Sequence, residues 1–79
     1  MGKITIHVYP NPVKGELNVE AGETINSICL VNVLGEIVYF GKFNQKSILI
    51  NTSQLQEGVY VARIETKTGL KNKKILLKK

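Results

Sequence analysis

The 79 residues provide for one domain, which we expect to span residues 1–79. Hydrophobic residues make up 43% of the chain, a share that is typical of a packed globular domain and excludes a disordered one. No unbroken apolar run is longer than that of residues 28–31, which is far shorter than the roughly 20 residues that a membrane-spanning helix needs. Cys29 is the only cysteine, which excludes an internal disulfide and leaves the redox compartment open.

The net charge is +5, and the positive charge is concentrated near the end of the chain. Six of the eleven basic residues lie in the last part of the sequence, namely Lys67, Lys71, Lys73, Lys74, Lys78 and Lys79. An acidic partner, a nucleic acid, an anionic membrane surface or a well-solvated edge strand would each account for this asymmetry.

The first residues, Met1-Gly2-Lys3, lead directly into a strand-like run and lack the apolar region of a secretory signal. Two explanations are open. Either the protein stays in the cytoplasm, or the chain is the tail of a longer polypeptide whose signal lies elsewhere, with residues 1–3 partly left over from expression.

Alternation of apolar and polar residues predicts strands along almost the whole chain. The first strand covers residues 3–9, and we expect Pro10 and Pro12 to end it because proline has no N–H to donate to a ladder. A second strand follows over residues 16–20, and the small and polar residues 21–23 are expected to close it.

The middle of the chain is expected to form three more strands. The dense apolar run 25–33 is typical of a strand that is central to a sandwich. Gly35 predicts a hairpin turn with positive φ, from which the fourth strand returns over residues 37–40. After a polar break at residues 41–45, a fifth strand is centred on residues 48–50.

The last two strands follow a loop at residues 51–54 that has room for one helical turn. The sixth strand begins at Gly58 and carries alternate residues from Tyr60 on one face, and the seventh covers roughly residues 70–77. Leu55, Gly58 and Tyr60 have the spacing of a tyrosine corner, in which the tyrosine hydroxyl bonds to upstream backbone.

These elements predict an all-β chain. About seven short strands, turn signals at regular intervals and no helical periodicity favour an immunoglobulin-like antiparallel β-sandwich.

No pattern typical of catalysis or metal binding occurs. His7 is the only histidine and aspartate is absent, which excludes a Ser-His-Asp or Cys-His-Asp triad from this chain alone. The glutamates are scattered and the glycines stand singly at turns, so we expect no catalytic residue, no metal and no cofactor. The protein is not expected to be an enzyme.

Two further segments each have two interpretations. The lysines of the last strand either discourage edge-to-edge pairing or form a docking surface. Nucleic-acid binding is not expected, because no aromatic residue accompanies these lysines for base stacking. Tyr9-Pro10-Asn11-Pro12 is either a stiff structural bend or an exposed recognition surface.

Taken in order, several of these motifs resemble the C-terminal sorting domain of the bacterial type IX secretion system. The resemblance covers the chain from about Ile6 to Lys79. It is carried by Val8-Tyr9-Pro10-Asn11-Pro12 with Gly15, Leu17 and Val19, by Leu34-Gly35 with Val38, by Leu55-Gln56-Glu57-Gly58-Val59-Tyr60, and by Lys73-Lys74-Ile75-Leu76-Leu77-Lys78-Lys79.

The resemblance implies a recognition motif and a set of partners. Its residues would be Tyr9, Pro10, Asn11, Pro12, Gly58, Tyr60, Lys73, Lys74, Ile75, Leu77, Lys78 and Lys79. The domain would be covalently continuous with an N-terminal cargo protein of a Gram-negative bacterium. That cargo would pass through the periplasm to the outer-membrane translocon and its shuttle proteins. A sortase-like cysteine peptidase would normally remove the domain, and the cargo would be attached to the cell surface or released.

The alternative is a stand-alone immunoglobulin-like adhesion or carbohydrate-binding module. It would need an exposed aromatic platform, for which the chain offers Tyr9, Tyr39, Phe40 and Phe43. Tyr39 and Phe43 lying side by side on one open face would favour this alternative. An enzyme fragment is a third and weaker alternative, because aspartate is absent.

Overall fold

The computed structural model describes residues 5–79, which form five strands and no helix. In chain order the strands are β1 (Ile6–Lys14), β2 (Glu16–Val31), β3 (Ile37–Asn51), β4 (Gly58–Thr66) and β5 (Gly69–Leu77). The described chain is therefore all-β, as its alternating pattern predicts. It contains no helix long and apolar enough to cross a membrane.

Strand β2 connects the two halves of the sheet. Its first half pairs with β1 and with the end of β3, and its second half pairs with β4 and with the start of β3, all antiparallel. Strand β5 pairs antiparallel with β4 and meets β1 in one parallel pair, Val13 with Leu77. The sheet thus curls over itself, and its two halves enclose one core.

The core is built from alternate residues of all five strands. It consists of Ile6, Val13, Leu17, Val19, Ile25, Ile28, Leu30, Ile48, Ile50, Tyr60, Ala62, Ile64, Ile75 and Leu77. In β4 the alternation is complete from Val59 onward, since the even-numbered residues from Tyr60 to Thr66 are buried and the odd-numbered residues from Val59 to Glu65 are exposed. The predicted faces of this strand are confirmed.

The prediction of seven strands was wrong, because two expected breaks are extended. The second and third predicted strands are the two halves of β2, and the fourth and fifth are the two halves of β3. The ladder passes from Glu20 opposite Ser47 to Ile25 opposite Gln45, so residues 21–24 lie opposite Lys46 alone. A bulge of this kind bends an antiparallel pair without ending it.

The prediction that Pro10 and Pro12 end the first strand was also wrong. Strand β1 continues through both prolines to Lys14, and both prolines follow cis peptide bonds. The prolines interrupt only the pairing with β2, since residues 10–13 lie opposite Leu17 alone. The expected beginning of this strand at residues 3–4 and the expected origin of residues 1–3 lie outside the described residues.

The turns largely follow the sequence. Gly35 has the expected positive φ, 84°, and the side-chain oxygen of Asn32 accepts hydrogen bonds from the N–H groups of Leu34 and Glu36 at 2.9 and 3.0 Å. The loop after β3 contains a hydrogen-bonded turn, Leu55 N–H to Thr52 carbonyl at 3.0 Å, in place of the helical turn for which the sequence leaves room.

Candidate recognition surface

Parts of all three sequence motifs lie side by side at one end of the sandwich. Leu77 of β5 pairs with Gly58 of β4 on one side and with Val13 of β1 on the other. The N–H of Lys78 donates to the carbonyl of Val13 at 2.9 Å. These pairs hold residues 9–12, which we call the proline segment, beside the C-terminal strand.

Asn11 links the proline segment to β5 directly. Its side-chain oxygen accepts a hydrogen bond from the N–H of Leu76 at 3.4 Å, at the point where β1 and β5 diverge. A shallow recess of about 340 Å³ opens here and is lined by Asn11, Val59, Lys74, Ile75 and Leu76. The sequence marks Asn11 as a residue between two prolines and carries no signal for its contact with Leu76.

All four residues of the proline segment are exposed. The hydroxyl of Tyr9 donates to Oε2 of Glu20 at 2.5 Å across the β1–β2 pair. This hydrogen bond to Glu20, with smaller contributions from desolvation and the negative charge of Glu20, raises the pKa of Tyr9 above its ordinary value. The hydrogen bond thus links the exposed side chain of Tyr9 to β2.

Tyr60 forms the tyrosine corner that its spacing predicts. Its ring is buried, and its hydroxyl donates to the carbonyl of Gln56 at 2.6 Å. Gly58 precedes it with a φ of 153°, a conformation that side chains rarely adopt, and Leu55 packs against the core. Tyr60 and Gly58 thus determine the backbone conformation at this end of the molecule.

The C-terminal strand divides its motif residues between the core and the solvent. The side chains of Ile75 and Leu77 are buried, with 3% and 2% of their surface exposed. The lysines of the motif are exposed: Lys73, Lys74, Lys78 and Lys79. Of these motif side chains, the lysines are therefore the ones that a partner can contact while the domain is folded.

A second recess of about 180 Å³ lies at the same end, beside the β1–β5 pair. Its lining consists of Lys14, Gly15, Thr52, Ser53, Leu77, Lys78 and Lys79. The ammonium group of Lys79 donates to the carbonyl of Ser53 at 3.1 Å, which fixes the last side chain of the chain against the loop after β3. The buried hydroxyl of Thr52 has no hydrogen-bond partner among residues 5–79. Neither Thr52 nor Val13 stands out in the sequence pattern.

The remaining candidate residues do not assemble into a reactive centre. Among residues 5–79, no three histidine, cysteine or glutamate side chains lie close enough to hold a metal ion. His7 is exposed, and Cys29 is a free, half-buried thiol opposite Phe40 of β3 and Arg63 of β4.

The aromatic residues of β3 do not form an open platform. The ring of Phe43 and the hydroxyl of Tyr39 both lie over Gly41, where an added Cβ would be 2.7 Å from the ring of Phe43 and 2.9 Å from the hydroxyl of Tyr39. Both are half-buried and packed against the core, whereas Phe40 is 56% exposed. The pair therefore serves packing more than it presents a flat surface for a sugar.

Comparison with solved structures gives a match over almost the whole chain. A chain of PorZ from Porphyromonas gingivalis, described as an essential bacterial surface component of the type IX secretion system, is similar with a TM-score of 0.76 and 15% sequence identity. The match covers 94% of this chain and 11% of that one, so it concerns the fold of one small part of PorZ. No curated protein matches.

Comparison with protein families identifies the chain more closely. Residues 7–78 match the family described as the secretion system C-terminal sorting domain, which is a family of sorting signals and not of enzymes. Domains of this family form the C-terminal part of cargo proteins that are secreted across the outer membrane, to the cell surface or into the medium. The chain belongs to the family of type IX secretion system C-terminal sorting domains.

Proposed function

We propose that this domain is the C-terminal secretion signal of one longer cargo protein and that the cargo reaches the outer-membrane translocon through the periplasm. The observation that carries the proposal is the convergence of the three motifs. Leu77 pairs with Gly58 and with Val13, the residue after the proline segment. Asn11 of that segment accepts a hydrogen bond from the N–H of Leu76. Because β1, β4 and β5 together form this end of the domain, a receptor can bind one fixed shape while the cargo stays folded.

Two kinds of residue serve this recognition. Gly58, Tyr60, Ile75 and Leu77 act from inside the fold, because they are buried or set the backbone. The side chains that a translocon or shuttle protein contacts are the exposed ones: Tyr9, Pro10, Asn11, Pro12, Lys73, Lys74, Lys78 and Lys79. The positive charge of the four lysines raises the rate of encounter with an acidic receptor.

Processing completes the proposal. A sortase-like cysteine peptidase cuts on the N-terminal side of the domain, after which the cargo is attached to the surface or released. Ile6 is buried and paired with Ala21, so a peptidase that needs extended, unpaired backbone has to act before this residue. Mass spectrometry of the exported cargo tests this step, and a cut within β1 or later would contradict it.

The recognition element is tested by exchanging charge without removing core residues. Deleting the last strand would also remove Ile75 and Leu77 and unfold the domain. We therefore suggest a reporter with a periplasmic signal fused to the chain, in a type IX-competent host, with Lys73 and Lys74 replaced together by glutamine. Export should fall by about tenfold, because the encounter with an acidic receptor depends on charge.

The matched control replaces Lys42 and Lys46 of β3 by glutamine, which removes the same charge from another part of the surface. This control should be exported like the unaltered fusion. Equal export of both double variants would contradict recognition through the C-terminal strand.

A further inference from the structure

Strand β5 is an edge strand for most of its length. It pairs with β4 over all of Gly69–Leu77, but its other side meets β1 only at Leu77. No other strand of the described chain pairs with residues 69–75 on this side. A stretch of edge is therefore open, and it begins at the recess beside Asn11.

The direction of the backbone groups along this edge follows from the two bonds at its end. The N–H groups of Leu76 and Lys78 both point toward β1, where they donate to Asn11 and to Val13. Because backbone groups alternate sides along a strand, the N–H and C=O groups of Leu70, Asn72 and Lys74 point toward the open side. Unpaired groups in such a row are a template for an added strand.

The open edge is strongly cationic. Lys71, Lys73 and Lys74 are exposed, and β5 contains no acidic residue. Its apolar surface is limited to Leu70, which is 51% exposed, and Leu76, which is 38% exposed and lines the recess of about 340 Å³. An added strand would thus meet positive charge along its length and an apolar recess at one end.

A second copy of this chain is a poor occupant. Pairing two β5 edges would place lysines against lysines, and like charges on paired strands are destabilising. The same lysines attract an extended segment that carries glutamate or aspartate at alternate positions. Charge complementarity therefore favours an acidic partner over self-association.

We propose that an extended acidic segment of a partner protein adds to the sandwich as a further strand, pairing with the backbone of Leu70, Asn72 and Lys74. The added strand ends at the recess, because the N–H of Leu76 already donates to the side-chain oxygen of Asn11. Backbone hydrogen bonds supply the affinity, and the lysines select the acidic sequence. This proposal rests on the proposed function, since the partner is a component of the export machinery.

A proline substitution tests strand addition in cells. Asn72→Pro removes one N–H from the open side and leaves the pairing with β4 in place, a position where edge strands tolerate proline. Asn72→Ala is the matched control, since it loses the side chain and keeps the N–H. In the reporter fusion, export of the proline variant should fall by about tenfold, which corresponds to the loss of one well-formed hydrogen bond, and the alanine variant should behave like the unaltered chain.

Amide hydrogen exchange, measured by NMR on the unaltered chain, needs no substitution. A short peptide of alternating glutamate and valine is the probe, and a peptide of alternating lysine and valine is the control. The amides of Leu70, Asn72 and Lys74 should exchange about tenfold more slowly with the acidic peptide, whereas those of Lys71 and Lys73, which already face β4, should not change. No slowing with the acidic peptide, or equal slowing with both peptides, would overturn the proposal.

The two measurements separate the two proposals. If the unaltered fusion is not exported, the proposed function fails and the exchange experiment still decides on strand addition. If the unaltered fusion and a folded Asn72→Pro variant are exported equally, strand addition is overturned and the proposed function stands. Circular dichroism shows whether the proline variant is folded.

Discussion

Val13 and Leu77 lie opposite each other in the one parallel pair between β1 and β5, and both side chains are buried, with 0% and 2% of their surface exposed. This pair joins the first strand to the last and brings the proline segment next to the terminal lysines. The shape of the candidate recognition surface depends on it, and so does closure of the sheet over the core.

The neighbouring leucines of β5 provide a direct test of this closure. Leu77→Ala should lower the free energy of unfolding by about 2–5 kcal/mol, because it opens a cavity in the core. Leu76→Ala, at a side chain that is 38% exposed, should change it by less than about 1 kcal/mol. Urea unfolding of both variants is the measurement, and equal losses would contradict the placement of these two side chains.

The tyrosine corner should contribute a measurable part of the stability. Tyr60→Phe removes the hydroxyl that donates to the carbonyl of Gln56, and unfolding should become easier by about 1 kcal/mol. Tyr9→Phe removes a hydroxyl bonded to Glu20 at an exposed position and should cost less. Thermal unfolding compares the two variants, and a larger loss for Tyr9→Phe would argue against the corner.

The turn at Gly35 should require glycine, whereas Gly22 should not. Gly35 has a φ of 84°, so Gly35→Ala should destabilise the fold by about 1–2 kcal/mol. Gly22 lies within the extended part of β2 with open space around it, and Gly22→Ala should be within about 0.5 kcal/mol of the unaltered chain. Urea unfolding distinguishes them, and a substantial loss at Gly22 instead would show that residues 21–24 form a turn.

Glu23 should make stability depend on acidity. The nearby hydroxyl of Thr66 and the two donors of Thr68 hold the pKa of Glu23 below its ordinary value by favouring the carboxylate. In the structure the hydroxyl of Thr66 donates to the carbonyl of Gly69 at 3.1 Å, whereas the N–H and hydroxyl of Thr68 donate to Oε2 of Glu23 at 2.9 and 2.7 Å. Because folding lowers this pKa, the contribution is fully present above the pKa of the unfolded chain, about 4.3, and is lost as the pH falls through the lower pKa of the folded state.

The test is thermal unfolding as a function of pH. Glu23→Gln should flatten the loss of stability in acid, because the variant has no carboxylate to protonate, and Glu57→Gln is the matched control on another loop. If the Glu23 variant loses as much thermal stability at low pH as the unaltered chain, the role of the Thr68 contacts is contradicted.

Local chemistry predicted the last hairpin well. In β4 each buried residue from Tyr60 to Thr66 is separated from the next by one exposed residue, and the connection to β5 is short enough only for an antiparallel hairpin. The strand count was wrong because Gly22 and Gly41 are typical of turns. Here both residues lie within strands. Gly41 pairs with Ile28 of β2, and the N–H of Gly22 donates to the carbonyl of Thr5 at 3.0 Å.

The recognition surface could be predicted in composition but not in arrangement. The lysines and prolines were visible in the sequence, yet nothing local indicated that Asn11 would contact Leu76, which lies 65 residues away. A single apolar residue between Pro12 and Lys14 is too weak a pattern to mark Val13 as the partner of Leu77. Such long-range parallel pairing depends on how the whole sheet curls.

The most direct test of the account is export of a reporter protein that carries a periplasmic signal and this chain at its C-terminal end. It should be compared in a type IX-competent host and in the same host without the translocon. We expect the reporter on the cell surface or in the medium only when the translocon is present, and in the periplasm when it is absent. A reporter that stays in the periplasm of both strains, or leaves both equally, would contradict the account.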